Sequence, residues 1–212
     1  AHHHKTQDEI IDAVGKEFAF AKFEKYFHTP YKEYKHPKRN KTKVKNIMIC
    51  EDFQLSRVLS ALNYPLSTFA KTWTEHISRK ILDIIPDANV VIRRKDNCKL
   101  RRTYTLADQI QDDDIDAVVT FSSFAGLHAV LSGIPAVTLG PSCIDHIGNK
   151  YISDLKNLYY PDGNEFKHHL LYLSCVNFNG EEIKNGTAWD KIQALQGENK
   201  WDPNTCVSCF IP

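Results

Sequence analysis

The sequence predicts an α/β fold: a parallel sheet flanked by helices, with an N-terminal helix before it and C-terminal helices after it. Two observations predict this. Short apolar, β-branched runs near residues 45–50, 88–93, 116–121 and 135–139 alternate with amphipathic segments, as in four or five strands wound right-handedly into a parallel sheet. Within that pattern, Asp116-Ala-Val-Val-Thr-Phe-Ser-Ser-Phe-Ala-Gly-Leu-His-Ala-Val-Leu-Ser-Gly-Ile-Pro-Ala-Val-Thr-Leu-Gly140 reads as strand, small-residue turn, helix, glycine turn and strand.

Residues 1–44 form the expected leading region. Ala1-His-His-His4 reads as a purification-tag remnant and is left out of fold reasoning. Residues 5–28 have one helical stripe of Ile10, Ile11, Val14, Phe18, Phe20, Phe23 and Phe27, which Pro30 ends. A basic connector follows, with Lys32, Lys35, Lys38, Arg39, Lys41, Lys43 and Lys45 against the single acid Glu33. Tyr26, Tyr31 and Tyr34 are interleaved nearby, so the connector suits either a solvated linker or a polyanion contact.

Residues 45–197 form the expected domain. After the first strand, the helix opened by Ser67 buries Phe69, Trp73, Ile77, Ile81 and Ile84, and Pro86-Asp87 ends it. A short helix from Leu106 to Ile110 precedes the run Asp112–Asp114, read as a solvated turn rather than a cation loop. Ser122 and Ser123 stand where an N-cap is wanted, and Gly133 where a left-handed C-cap is wanted. Residues 152–158 are short and mixed, and helices follow over residues 166–176, 181–185 and 188–195. Residues 198–212 form a tail without periodicity.

The length suits a core that needs no disulfides, and the net charge of +1 carries no global electrostatic message. Nothing reads as a signal peptide, and no apolar run approaches the about 20 residues needed to span a bilayer. Cys50 and Cys175 sit in apolar runs, which favours buried thiols in a reducing compartment. Cys206-Val-Ser-Cys209 stands alone, without a second CxxC or a His pair at zinc spacing, so ordinary reduced cysteines are expected and no metal site.

Ligands of open parallel sheets bind beyond the carboxyl ends of the strands. Those ends carry Glu51 and Asp52, then Arg93, Arg94 and Lys95, then Ser122 and Ser123, then Gly140 and Ser142. A strand running into a Ser/Gly turn at a helix start aims N–H groups and the helix dipole at one spot, which suits a phosphate-bearing ligand. The candidate ligand-binding residues are therefore Arg93, Lys95, Ser122, Ser123, Gly126, Gly140 and Ser142. His128, His146, Glu51 and Asp52 are the catalytic candidates, and each also suits an ordinary packed or surface position. His168 and His169 are adjacent on a helix and point to different faces, which argues against a joint metal site.

Over Val118-Val-Thr-Phe-Ser-Ser-Phe-Ala-Gly-Leu-His-Ala-Val-Leu-Ser-Gly-Ile-Pro-Ala-Val-Thr-Leu-Gly-Pro141 the chain resembles the donor-nucleotide half of GT-B glycosyltransferases. The likeness is strongest to the bacterial capsule-polysaccharide and Kdo-transferase group and its bacteriophage-encoded relatives. Those proteins carry a strand, a Ser/Thr pair, a Gly- or Ala-bearing helix start, then small-Gly-x-Pro-Val and a Gly-Pro end. Leu171-Tyr-Leu-Ser-Cys-Val-Asn-Phe-Asn-Gly-Glu-Glu-Ile-Lys-Asn-Gly-Thr-Ala-Trp189 is similar to the C-terminal helix pair of the phage-type members.

The resemblance implies a single Rossmann-like half that binds a nucleotide sugar without a further cofactor. Its setting would be the cytoplasm of a bacterial or phage-infected host cell. It further implies transfer of the sugar to a glycan or a modified DNA base. His128 stands where those proteins usually place a Glu that holds donor hydroxyls. A GT-B reaction takes place between two such halves, and residues 5–44 are too few to form the second. An active form is therefore expected to be a homodimer or a hetero-complex, with residues 18–27 or the basic connector at the contact. Two other readings stand beside this one: a non-catalytic nucleotide-sugar-binding module, and a DNA-associated phage protein that uses the connector.

Overall fold

The computed structural model describes residues 5–37, 43–51, 69–93 and 104–196. In chain order its elements are α1 (Gln7–Val14), α2 (Lys16–Phe27), β1 (Asn46–Cys50), α3 (Phe69–Ile84), β2 (Asn89–Arg93), α4 (Leu106–Asp112), β3 (Ala117–Thr120), α5 (Ala125–Leu131) and β4 (Ala136–Thr138). A 3-10 turn (Ile152–Lys156), α6 (Gly163–Val176), α7 (Gly180–Lys184) and α8 (Thr187–Gln196) complete them. The described residues fall into two compact units, one within Ala1–Lys35 and Asp162–Pro212, the other within His36–Pro161. No described helix is long and apolar enough to cross a membrane.

The unit within His36–Pro161 is an α/β layer structure. Its four strands lie in the order β2-β1-β3-β4, and every neighbouring pair is parallel. The fold class read from the sequence is the one observed. β3 is buried at every residue, which is why its sequence lacks the polar alternation of a half-exposed strand.

Strand residues alternate between two faces. On one face Ile47, Ile49, Ala117, Val119 and Val137 form a core with Trp73, Ile77 and Ile81 of α3 and with Ile152 and Leu155 of the 3-10 turn. The spacing of Trp73, Ile77 and Ile81 keeps all three on one side of α3. The other face carries α5, which packs on β3 and β4, with α4 beside it. A Cβ added to Gly126 of α5 would lie 3.0 Å from Cγ2 of Thr138 and 3.6 Å from Cγ2 of Thr120. Gly126 is thus the point where the helix backbone comes down onto the sheet.

Two buried polar side chains fix the sheet's margins. Asp116, just before β3, accepts through Oδ2 from the backbone N–H groups of Lys45 and Asn46, each at 2.8 Å, and so anchors the entry to β1. Asn149 covers the outer edge of β4, where its backbone pairs in parallel beside Val137. Its Nδ2 donates to the carbonyls of Ala136 and Tyr159, both at 3.0 Å, and its Oδ1 accepts from the N–H of Tyr159 at 2.8 Å. An edge tied off in this way offers no open ladder to another chain.

The other unit is helical. The single helix expected over residues 5–28 is two helices, because Gly15 between them adopts φ +99°, a conformation that L side chains rarely take. Thr6 and Glu9 form a reciprocal capping box at the start of α1. The apolar stripe continues in register across the break, so periodicity alone runs straight through it. α1 packs on α6 and α8, and α2 on α6, burying Ile11, Val14, Phe23, Phe166 and Leu170. Lys22 of α2 is also buried. Its Nζ donates to the carbonyl of Asn177 and to Oε2 of Glu182 at 3.0 Å, and it lies 4.5 Å from the ring centroid of Phe178 and 5.3 Å from that of Phe18. The ion pair and the ring faces together replace the water that this ammonium gives up.

Candidate functional site

The strand order defines where a ligand would sit. From β1 the chain first crosses outward to β2 over one face, by α3, and later builds β3 and β4 on the opposite side of β1. The connections diverge between β1 and β3, and the divergence opens a crevice at their carboxyl ends. Glu51 leaves β1 there, and Phe121, Ser122 and Ser123 leave β3 beside it.

The register brings further candidates to the same edge. Arg93 pairs with Cys50, the last residue of β1, and Thr120 pairs with Thr138. On the α5 face the last positions therefore run Arg93, Cys50, Thr120 and Thr138 across the four strands. Thr120 Oγ1 donates to the carbonyl of Cys50 at 3.3 Å, fastening β3 to β1 beneath the crevice. The guanidinium of Arg93 donates to Oε1 of Gln109 on α4 and to the carbonyl of Tyr104 at 3.4 Å. Burial pushes the Cys50 thiol up to about 12, against the opposing pull of the Arg93 charge. At neutral pH this thiol is a neutral core side chain rather than a nucleophile.

The serines play a different local part from the one expected. Ser122 and Ser123 precede the helix but do not cap it in the expected way. Phe124 holds the N-cap position in a right-handed helical conformation with no side-chain bond, and α5 begins at Ala125. Ser123 Oγ accepts from the N–H of Ala125 at 3.3 Å, which is a turn within the loop rather than a cap. At the other end of α5, Gly133 has the expected left-handed conformation with φ +85°.

Packing accounts for two of the candidates. Gly126 lets α5 approach Thr120 and Thr138, and Gly140 leaves room for the ring of Phe121. Gly140 and Ser142 lie in the exit loop of β4, where Ser142 Oγ faces the N–H of Ile144 at 3.4 Å. His128 is exposed on α5, a turn past the helix start, and His146 is exposed in the loop after β4. Of the described catalytic candidates, Glu51 alone follows a strand end directly, with its N–H bonded to the carbonyl of Arg93 at 3.0 Å. Asp52, Arg94, Lys95, Lys38, Arg39, Lys41, Ser67, Cys98, Cys206 and Cys209 lie outside the described residues. The carboxyl edge of the sheet thus carries Arg93 at the end of β2, Ser122 and Ser123 after β3, and Gly140 and Ser142 after β4.

Sequence reasoning missed Asp116 and Asn149, which set the frame of this edge. Each is a polar residue adjoining an apolar strand run, and that adjacency was the available signal. It also passed over Phe124 and Tyr151, which are large, apolar and exposed at the same edge.

A comparison with solved structures finds similarity to the beta Kdo 2,4 transferase KpsC of Thermosulfurimonas dismutans, at 12% identity and a TM-score of 0.33, over 79% of this chain and 64% of that one. The chain thus spans less than two thirds of that protein's chain, and a likeness this distant carries nothing about substrate or activity. No protein-family model matches the chain, and no curated protein matches it significantly.

Proposed function

We propose that the α/β unit is a glycosyltransferase-like domain that binds a nucleotide sugar in the crevice between the carboxyl ends of β1 and β3. One observation carries the reading: the sheet order β2-β1-β3-β4 with all strands parallel, which puts Arg93, Ser122 and Ser123 at one edge beside a topological switch point. The resemblance of residues 118–141 to donor-nucleotide halves agrees with it. In this reading Arg93 neutralises a donor phosphate, the hydroxyls of Ser122, Ser123 and Ser142 bond its oxygens, and Glu51 stands at the rim near the sugar.

Sugar transfer demands a second wall, because a donor open to water is hydrolysed. A second copy or a partner protein supplies that wall together with the acceptor, a glycan or a modified DNA base. The test is a thermal-shift screen of nucleotides and nucleotide sugars, since a ligand that binds the folded state raises its melting temperature by mass action. At least one nucleotide sugar is expected to raise Tm in the wild type, and to do so less in Arg93→Ala and in Ser122→Ala/Ser123→Ala. Light scattering with a turnover assay tests the second wall. A flat screen, or robust transfer by a strict monomer, sinks the corresponding half of the proposal.

A further inference from the structure

In the helical unit two asparagines stand directly before a glycine: Asn179 before Gly180, and Asn185 before Gly186. Asparagine in that position can lose its side-chain nitrogen without an enzyme. The glycine backbone nitrogen gives up its proton and attacks Cγ of the asparagine, forming a C–N bond. The Cγ–Nδ2 bond then breaks and the nitrogen leaves as ammonia. Water opens the resulting five-membered succinimide at either carbonyl, giving aspartate or isoaspartate. A following glycine favours the closure because it has no side chain to hinder the nitrogen and its backbone turns freely.

The fold holds the two asparagines differently. Asn179 forms the reciprocal capping box of α7. Its Oδ1 accepts from the N–H groups of Glu181 and Glu182, at 3.0 and 2.9 Å, and its own N–H donates to Oε2 of Glu182 at 2.8 Å. Glu182 is held in turn by the buried Lys22. Ring closure at Asn179 must first break this set.

Asn185 is exposed in the turn where α7 has ended and α8 has not begun. Its Oδ1 accepts one bond, from the N–H of Thr187 at 3.1 Å. That donor faces the oxygen on which negative charge gathers as Cγ becomes tetrahedral. The attacking nitrogen, that of Gly186, donates to the carbonyl of Ile183 at 3.4 Å, a length at which little bond energy is lost on release. A Cβ added to either glycine would meet nothing within 4 Å, so the difference lies in the bonds on the asparagines.

We propose that Asn185 is a site of spontaneous deamidation in the folded protein, and that the capping box protects Asn179. The site lies in the helical unit and is independent of the nucleotide-sugar reading. An aspartate there adds a negative charge four residues after Glu181, a like-charge spacing that disfavours the end of α7. An isoaspartate lengthens the backbone by one carbon immediately before α8, whose second residue, Ala188, is buried. Both products change the junction between the two helices.

The experiment is incubation of the full chain at mildly alkaline pH, followed over time by tryptic digestion and mass spectrometry. Cleavage after Lys167, Lys184 and Lys191 puts the two asparagines on separate peptides, so each amide-to-acid conversion is read by itself. In the native protein Asn185 is expected to convert about tenfold or more faster than Asn179, which reacts only after local opening. In concentrated urea the two rates are expected to converge. Asn185→Gln should leave its own peptide unconverted, and wild-type protein aged in buffer should melt at a lower temperature than fresh protein while aged Asn185→Gln does not. Comparable native rates, or a native Asn185 that stays intact while it converts in urea, overturn the proposal. A preference for Asn185 that persists undiminished in urea overturns the protective role of the capping box, since the fold would then have no part in the selectivity.

Discussion

Gly140 lies so close to Phe121 that a Cβ placed on it would stand 2.6 Å from Cε1 of the ring and 2.9 Å from Cδ1 and Cζ. Phe121 belongs to the core that joins α3 to the sheet, so the ring cannot yield without disturbing its neighbours. Gly140→Ala is expected to cost about 1–3 kcal/mol, the range for overpacking a well-filled core, measured by chemical denaturation. Pairing it with Phe121→Leu should recover part of that loss. A fully additive double variant would show that the two residues are not coupled.

Thr120 and Thr138 are neighbours with unlike hydroxyls. Thr120 bonds the carbonyl of Cys50, whereas the fully buried Oγ1 of Thr138 finds no partner among the described residues. Valine is close to isosteric with threonine, so it isolates the hydroxyl. Thr120→Val is expected to destabilise by about 1 kcal/mol, and Thr138→Val to be neutral or stabilising by a similar amount. Equal losses at both positions would contradict this.

Glu182 sets an acid limit for the helical unit. Partial burial pushes its pKa up, but the N–H of Asn179 and the Lys22 ammonium outweigh this and hold the carboxyl below the usual carboxylate value of 4.5. A depressed folded-state pKa contributes stability that is present above the unfolded value and is lost as pH falls through the folded one. Stability is therefore expected to decline below about pH 4.5, and Glu182→Gln to flatten that decline while lowering stability at neutral pH. Lys22→Ala should cost about 3 kcal/mol at pH 7, since it removes one partner of a largely buried pair. Urea midpoints between pH 3 and 7 would show an unchanged acid slope in Glu182→Gln if the pairing is unimportant.

Cys50 and Cys175 set an alkaline limit. Burial pushes their thiols up to about 12 and about 11, from an ordinary value of 9.0. A raised folded-state pKa contributes stability below the unfolded value and loses it as pH climbs towards the folded one. Between pH 9 and 11 each thiol should remove up to about 1.4 kcal/mol per pH unit. Cys50→Ala should show a shallower loss over that interval than the wild type. Neither thiol should react with iodoacetamide at pH 8 until denaturant is added, and rapid labelling of Cys50 in the native protein would refute its burial.

The fold was legible because its signals are local. The β-branched runs at 46–50, 89–93, 117–120 and 136–138, and the spacing of Trp73, Ile77 and Ile81, each report burial on one element. What escaped reading depends on what meets what. Gly15 interrupts a stripe whose spacing hides the break. Ser122 and Ser123 have the composition of a cap, yet the chain takes one further turn at Phe124 before α5 begins. Gly126 and Gly140 carry the marks of ligand-facing glycines in sequence, and only their neighbours Thr138 and Phe121 show that packing already requires them. Asn149 is one polar residue in a loop until β4 is beside it.

The helical unit is assembled from two stretches far apart in the chain, within Ala1–Lys35 and Asp162–Pro212. α1 and α2 leave the ribosome long before α6, the helix that covers Ile11, Val14 and Phe23, has been made. During synthesis the first two helices must wait with their apolar faces uncovered while the α/β unit, whose strands all lie within one continuous stretch, is completed. Once that unit has folded, the ends of the intervening chain are no longer joined by a long flexible loop, and closing the helical unit loses correspondingly less entropy. Mutations that slow the folding of the α/β layer would therefore lengthen the exposure of α1 and α2, which lie outside it.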